Sequence, residues 1–288
     1  NPSLTQIYTV TETNSSSGCT DTDQVTVTVD IAAPIADAGS DFTKTCASHA
    51  NGATIGASSS SGYTYSWSPS TGLSSATAAN PTANPSLTQI YTVTETKTSS
   101  GCTDTDQVTV TVNTTAPTAA ITNNTGTTEL TCSTTSISVT ATGGDSYSWD
   151  NALGTNAAAT ITSAGTYTVT ATSSNGCTDT EAITVTSNTT APTAGITNNT
   201  GTTELTCSTT SISVTATGGD SYSWDNSLGT NAAATIIVAG TYTVTATSSN
   251  GCTDTELITV SSNTTLPGVN AGNDASICDG SSTTLTAS

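Results

Sequence analysis

Residues 114–188 and 189–263 are one text written twice at an offset of 75, differing only at positions 120, 152, 162, 163, 182 and 186 of the first copy. A second text recurs at an offset of 83: NPSLTQIYTVTET, followed by SSGCTDTDQVTVTV, begins at Asn1 and again at Asn84. Repetition at such periods implies a string of small units, each with its own core, rather than one large core. The first copy of the second text reads as the tail of a unit, and NAGNDASICDGSSTTLTAS from Asn270 reads as the front of another. The expected organisation is therefore a C-terminal fragment at 1–31, whole modules at 32–113, 114–188 and 189–263, and an N-terminal fragment at 264–288. Short Pro-bearing joints, DIAAP, NTTAP twice and NTTLP, fall between them.

Within one module the apolar period is two. Ile137, Val139 and Ala141 alternate with Ser138, Thr140 and Thr142, while Tyr167, Val169 and Ala171 share a face ahead of the turn SSNG. After that turn, Ile183 and Val185 share a face in the same way. Alternation with β-branched residues outward marks half-buried antiparallel strands, and no stretch has helical period. Six or seven short strands per repeat, broken by Gly and Asn turns, predict an all-β chain of small immunoglobulin-like antiparallel sandwiches. Trp67, Trp149 and Trp224, with Tyr91, Tyr167 and Tyr242, are the expected aromatic core residues.

Composition narrows the partners. Two Lys plus Arg stand against 21 Asp plus Glu, a net charge of −19, so neither nucleic acid nor an anionic membrane finds the clustered cations it needs. Only 42 of 288 residues are Leu, Ile, Val or Phe, which suits several thin cores and not a single thick one. No apolar run is long enough to insert in a membrane.

Eight Cys with no Met point to an oxidising, extracellular setting. Each whole module has one Cys before its second major strand and one just after the SSNG or TSSG turn, which suggests bridges within modules: Cys46 with Cys102, Cys132 with Cys177, Cys207 with Cys252. Such a bridge would stabilise a thin module by roughly 4 kcal/mol in the loop-entropy picture. The alternative pairs across joints, 19 with 46, 102 with 132, 177 with 207 and 252 with 278, and uses all eight.

Catalytic chemistry finds no foothold. His49 is the single His and occurs in one module only, so it reads as a solvated loop residue, and no nucleophile has a base beside it. Lys44 and Lys97 lack the Gly run of a phosphate loop. Carboxylates recur after the second Cys, among them Asp104 and Asp106, and others flank the joint lead-in at Asp37, Asp41 and Asp274. An i, i+2 pair lies on one strand face. These residues read first as a solvated acidic edge that discourages strand pairing, with calcium ligation as the alternative. No other cofactor is suggested.

The segments NAGNDASICDGSSTTLTAS, YSWSPSTGLSSATAANPTANPSLTQIYTVTET and AGTYTVTATSSNGCTDTEAITVT resemble the PKD and immunoglobulin-like repeats of giant surface proteins of Bacteroidetes. The resemblance implies a gliding-motility type of adhesin carried by the type IX secretion system. It further implies a cell-surface location and an attachment role toward a surface glycan or a host or substratum ligand. Neighbouring modules of the same chain, and self-association, are the other partners expected. A spacer or carbohydrate-binding array of a secreted hydrolase is the alternative, because similar modules serve there too.

Overall fold

The computed structural model describes residues 2–272, 274, 276–280 and 282–285. Among them every regular element is a strand, as the two-residue period requires. The chain divides into two compact units, Asn1–Thr122 with Thr140–Ala159 and Tyr167–Ile183, and Asn123–Val139 with Thr160–Thr166 and Thr184–Ser288. The 114–188 repeat contributes to both units.

In the first unit, β1 (Gln6–Thr13) and β2 (Thr20–Val27) form an antiparallel hairpin. Ile7, Val10 and Val25 are exposed there, and among the described residues no second sheet covers them. The 32–113 repeat adds β3 (Phe42–Lys44), β4 (Ala53–Thr54), β5 (Tyr63–Ser68), β6 (Thr82–Ala83), β7 (Gln89–Lys97) and β8 (Thr103–Val112). One sheet has the order β3-β8-β7-β5, and β4 pairs with β6. Ala38, Ile55, Trp67, Ala83, Tyr91, Val93, Val108 and Val110 close the core between them.

The 114–188 repeat carries β9 (Ala120–Asn123), β10 (Glu129–Thr131), β11 (Ile137–Thr142), β12 (Ser146–Trp149), β13 (Ala158–Ile161), β14 (Gly165–Thr172) and β15 (Thr178–Asn188). In the first unit β12 runs antiparallel to β14, and in the second β10 runs parallel to β15.

The second unit also holds the 189–263 repeat: β16 (Gly195–Asn198), β17 (Glu204–Thr206), β18 (Ile212–Thr217), β19 (Ser221–Trp224), β20 (Ala233–Ile236), β21 (Gly240–Thr247) and β22 (Thr253–Asn263). Its sheets, β16-β18-β20 and β17-β22-β21-β19, enclose Ile212, Val214, Ile236, Trp224, Tyr242, Val244 and Val260. Each Ile or Val buried this way contributes roughly 1.5–3 kcal/mol. Of the outward residues on the same strands, Ser213 and Thr217 are exposed, while Thr215, Thr243, Thr245 and Thr247 are half-buried. The result is a string of immunoglobulin-like sandwiches.

Trp67, Trp149 and Trp224 are all buried and donate their indole N–H to Ala78, Asn156 and Asn231 carbonyls. Tyr91, Tyr167 and Tyr242 are buried as well. The Tyr91 hydroxyl donates to Thr71 O at 2.6 Å and that of Tyr242 to Val238 O at 2.8 Å, so both rings sit in the core without an orphaned polar end.

One feature of the sheets lies outside the alternation pattern. The short strand before the first Cys of each repeat runs parallel to the last strand: Lys44 is opposite Val112, Thr131 opposite Asn188, Thr206 opposite Asn263. The first Cys therefore lies at the end of its repeat where the chain leaves. The second Cys immediately precedes the last strand and lies where the chain enters. Ten residues of β8, ~33 Å, separate the two ends.

Candidate functional site

That parallel register overturns both expected cysteine pairings. Cys46 is bonded to Cys177 and Cys132 to Cys252, each with Cα atoms 5.0 Å apart. The first Cys of one repeat thus bonds the second Cys of the next. Cys102 and Cys207, expected in bridges within their own modules, carry free thiols, as do Cys19 and Cys278. The length of the last strand, ten residues in β8, keeps the two Cys of one repeat apart. The bridged loops span 131 and 120 residues, which the loop-entropy model converts to about 5 kcal/mol each.

Around each rung the joint is built from the turn before the second Cys. Asn175 donates its amide N–H to Asn113 O, to Asn113 Oδ1 at 3.1 Å and to Thr115 O at 2.9 Å, gripping the linker. Its own carbonyl accepts from Ala47 N, in the loop that carries Cys46. Asn250 repeats the pattern on Asn188 and Thr190, and its carbonyl accepts from Ser133 N and Ser133 Oγ. The side-chain oxygen of each turn Asn accepts from the N–H of the following Cys at 3.0 Å, holding that sulfur in place.

Close approach of the two loops needs a glycine. Gly176 and Gly251 have φ of +77° and +78°, and a Cβ there would lie 2.4 Å from Ala47 Cβ and 2.7 Å from Ser133 Cβ. No L side chain fits both the conformation and the space.

The joint before the 32–113 repeat uses different chemistry. Asp30 stands in the linker where Asn113 stands later, and Lys97 Nζ reaches its carboxylate at 2.7 Å. The hydrogen bond from Lys97, with a second from Ala32 N, holds the Asp30 carboxyl below its ordinary range, and the same ion pair raises the Lys97 ammonium. Cys102 Sγ lies 3.3 Å from Asp30 O.

The recurring carboxylates are fastened to backbone. Asp104 accepts from Ala36 N and Asp106 from Ala38 N, at 2.9 and 2.8 Å. Asp179 does the same for Ala119 N, and Asp254 for Ala194 N. Each holds the incoming chain against the last strand just after the joint Pro. Asp41 accepts from Thr109 N and Asp37 from Gly39 N. Asp274 is exposed. Among the described residues no group of three or more His, Cys, Asp or Glu could hold a metal ion.

His49 is an exposed member of the Cys46 loop, its Nδ1 3.2 Å from Thr43 O and its ring tilted on Phe42. Lys44 donates to Asn84 Oδ1 and Pro85 O. No described helix is long and apolar enough to cross a membrane.

Sequence reading missed the turn Asn residues and the Asp30–Lys97 pair. A signal for them exists: between the two copies of the second text, Asp30 becomes Asn113, and Asn175 lies in the turn beyond the Asn while Lys97 lies in the turn beyond the Asp.

No family model matches the sequence, and no curated protein does. Among solved structures, the chain is similar to EC1-4 of PcdhgB3, at 12% identity and TM-score 0.35 over 91% of this chain and 83% of that one. It is also similar to the N-terminal eight Ig domains of Down Syndrome Cell Adhesion Molecule, at 11% and 0.36, spanning 90% of this chain and 40% of that one. Fibronectin(III)-like modules of Clostridium thermocellum CbhA align at 15% and 0.27, over 50% of this chain and 95% of theirs. At these identities the similarity is one of architecture only.

Proposed function

We propose that this chain is a non-catalytic stalk segment of an extracellular cell-surface adhesin, a spacer whose modules are covalently tied to their neighbours. The observation that supports this most directly is where the repeated polar groups act. The turn Asn, the post-Cys Asp and the bonded Cys serve the joint or the incoming strand, and none converges on a cleft. A repeated enzyme or lectin would instead repeat a polar cluster that packing leaves unexplained. Disulfides between modules fit a protein that leaves the cytosol and is loaded from outside. Attachment in gliding motility and export by the type IX route belong to this reading through the sequence resemblance.

The test combines three measurements. The segment should turn over nothing on glycan, peptide and ester panels. It should scatter X-rays at small angles as an elongated particle. Deleting residues 189–263 from the full-length protein should shorten its reach and leave export intact. Hydrolysis that survives repurification, or a compact scattering profile, would refute it.

A further inference from the structure

We propose that Cys207 is a disulfide-forming site for a further immunoglobulin-like module, one that presents a Ser-Ser-Asn-Gly-Cys turn to the Asn263 end of the 189–263 repeat. The receiving half of a stapled joint is already assembled there. Cys207 occupies the place of Cys132 in an identical text, yet its thiol is free and exposed. Thr206 pairs with Asn263 as Thr131 pairs with Asn188. The loop has the same closure, Thr206 N donating to Thr209 O and Thr131 N to Thr134 O, both at 2.9 Å. Ser208 Oγ lies 3.1 Å from Thr206 Oγ1, as Ser133 Oγ lies from Thr131 Oγ1. In the earlier copy this loop meets Asn250 and bonds Cys252.

The linker residue names the kind of turn. Asp30 is matched by Lys97, while Asn113 and Asn188 are matched by Asn175 and Asn250. Asn263 stands in the Asn188 position, so the fitting turn is the one with Asn. The Gly after that Asn would let the turn close on Ser208 as Gly251 closes on Ser133.

The bond needs an oxidant, and a small-molecule disulfide such as oxidised glutathione suffices. The Cys207 thiolate attacks it, releasing one thiol and forming a mixed disulfide. The incoming Cys thiolate then attacks the Cys207 sulfur and releases the second thiol. Two protein thiols lose two protons and two electrons, and one small disulfide becomes two thiols.

The test inserts one more copy of residues 189–263 between Asn263 and Thr264 of the whole chain. Both chains are oxidised in a glutathione buffer, alkylated and digested without reduction. In the parent, Cys207 should be recovered as a mixed disulfide with glutathione, bonded to no other cysteine of the chain. In the extended chain it should be linked to the inserted copy's counterpart of Cys252, and the glutathione should move to the counterpart of Cys207. Bonding within the inserted copy would overturn the proposal. So would an alkylated or glutathione-bound Cys207 in the extended chain, or Cys207 linked to Cys207 of a second molecule. The Cys46–Cys177 and Cys132–Cys252 peptides from the same digest report that the remainder has folded. Should the extended chain fail to fold, the parent decides: Cys207 must form a mixed disulfide with oxidised glutathione, and a Cys207 inert to it overturns the site.

Discussion

The joint before the 32–113 repeat and the two joints after it do the same task with different chemistry. At the first, an Asp30–Lys97 ion pair holds linker to turn, Cys102 is a free thiol, and a Cβ on Gly101 would meet nothing within 4 Å. At the later two, a neutral amide grips three backbone and side-chain oxygens, a disulfide closes the contact, and the equivalent glycine touches the preceding repeat. The turn and linker therefore recognise each other locally, and the rung then adds the long-range tie to the preceding repeat. Recognition and fastening are separate layers.

Breaking the second layer should have the largest effect. Cys132→Ser should lower stability by about 3–5 kcal/mol in denaturant titration, whereas Cys102→Ser should change it by less than about 0.5 kcal/mol. Equal effects would mean the rungs carry no load in the folded chain. Glycine comes next. Gly101→Ala and Gly251→Ala both place an L residue at positive φ, costing about 1–2 kcal/mol, but only Gly251→Ala adds a clash with Ser133. Thermal melts should rank the second well below the first.

Asn250→Ala removes the amide from the linker oxygens and should cost about 1–3 kcal/mol while leaving Cys132–Cys252 intact on peptide mapping. The first joint should answer to pH instead. A lowered Asp30 carboxyl contributes stability that is present above the ordinary carboxylate range and lost as pH falls through its depressed value. The raised Lys97 ammonium contributes below the ordinary Lys range and loses its part as pH climbs through the raised value. Hydrogen-exchange protection in the Lys97–Cys102 turn, taken relative to the intrinsic rate at each pH, should therefore fall at acid pH and in high salt, while that of the bridged Ser248–Cys252 turn changes less. The smallest effect concerns the two near-identical repeats. Ile237, Val238 and Leu257 are exposed where the earlier copy has Thr162, Ser163 and Ala182, so restoring those residues should shift stability by less than about 0.5 kcal/mol.

Strand character and the inward faces were legible because alternation is a property of consecutive residues: Tyr167, Val169 and Ala171 are buried together as their spacing requires. The pairing of cysteines was not, because it depends on a three-residue strand. Glu129–Thr131 and Glu204–Thr206 are too short to show a period, yet their parallel register decides which end of the sandwich each first Cys occupies. The post-Cys carboxylates misled for a related reason. An i, i+2 acidic pair looks the same whether it awaits a cation or receives amide N–H groups, and only the incoming chain beside Asp104 and Asp106 distinguishes them.

The two rungs also interleave along the sequence, since Cys132 lies between Cys46 and Cys177 while Cys177 lies between Cys132 and Cys252. Under tension this converts an extensible string into a tether of limited reach. Unbridged, the chain from Cys46 to Cys252 could pay out to a contour of ~700 Å. With both rungs closed, the shortest covalent route runs from Cys46 through Cys177 back to Cys132 and on to Cys252, and its contour is ~155 Å. A sandwich that opened under a tug could lengthen only until that ~155 Å route was taut, and covalent bonds would then take the strain.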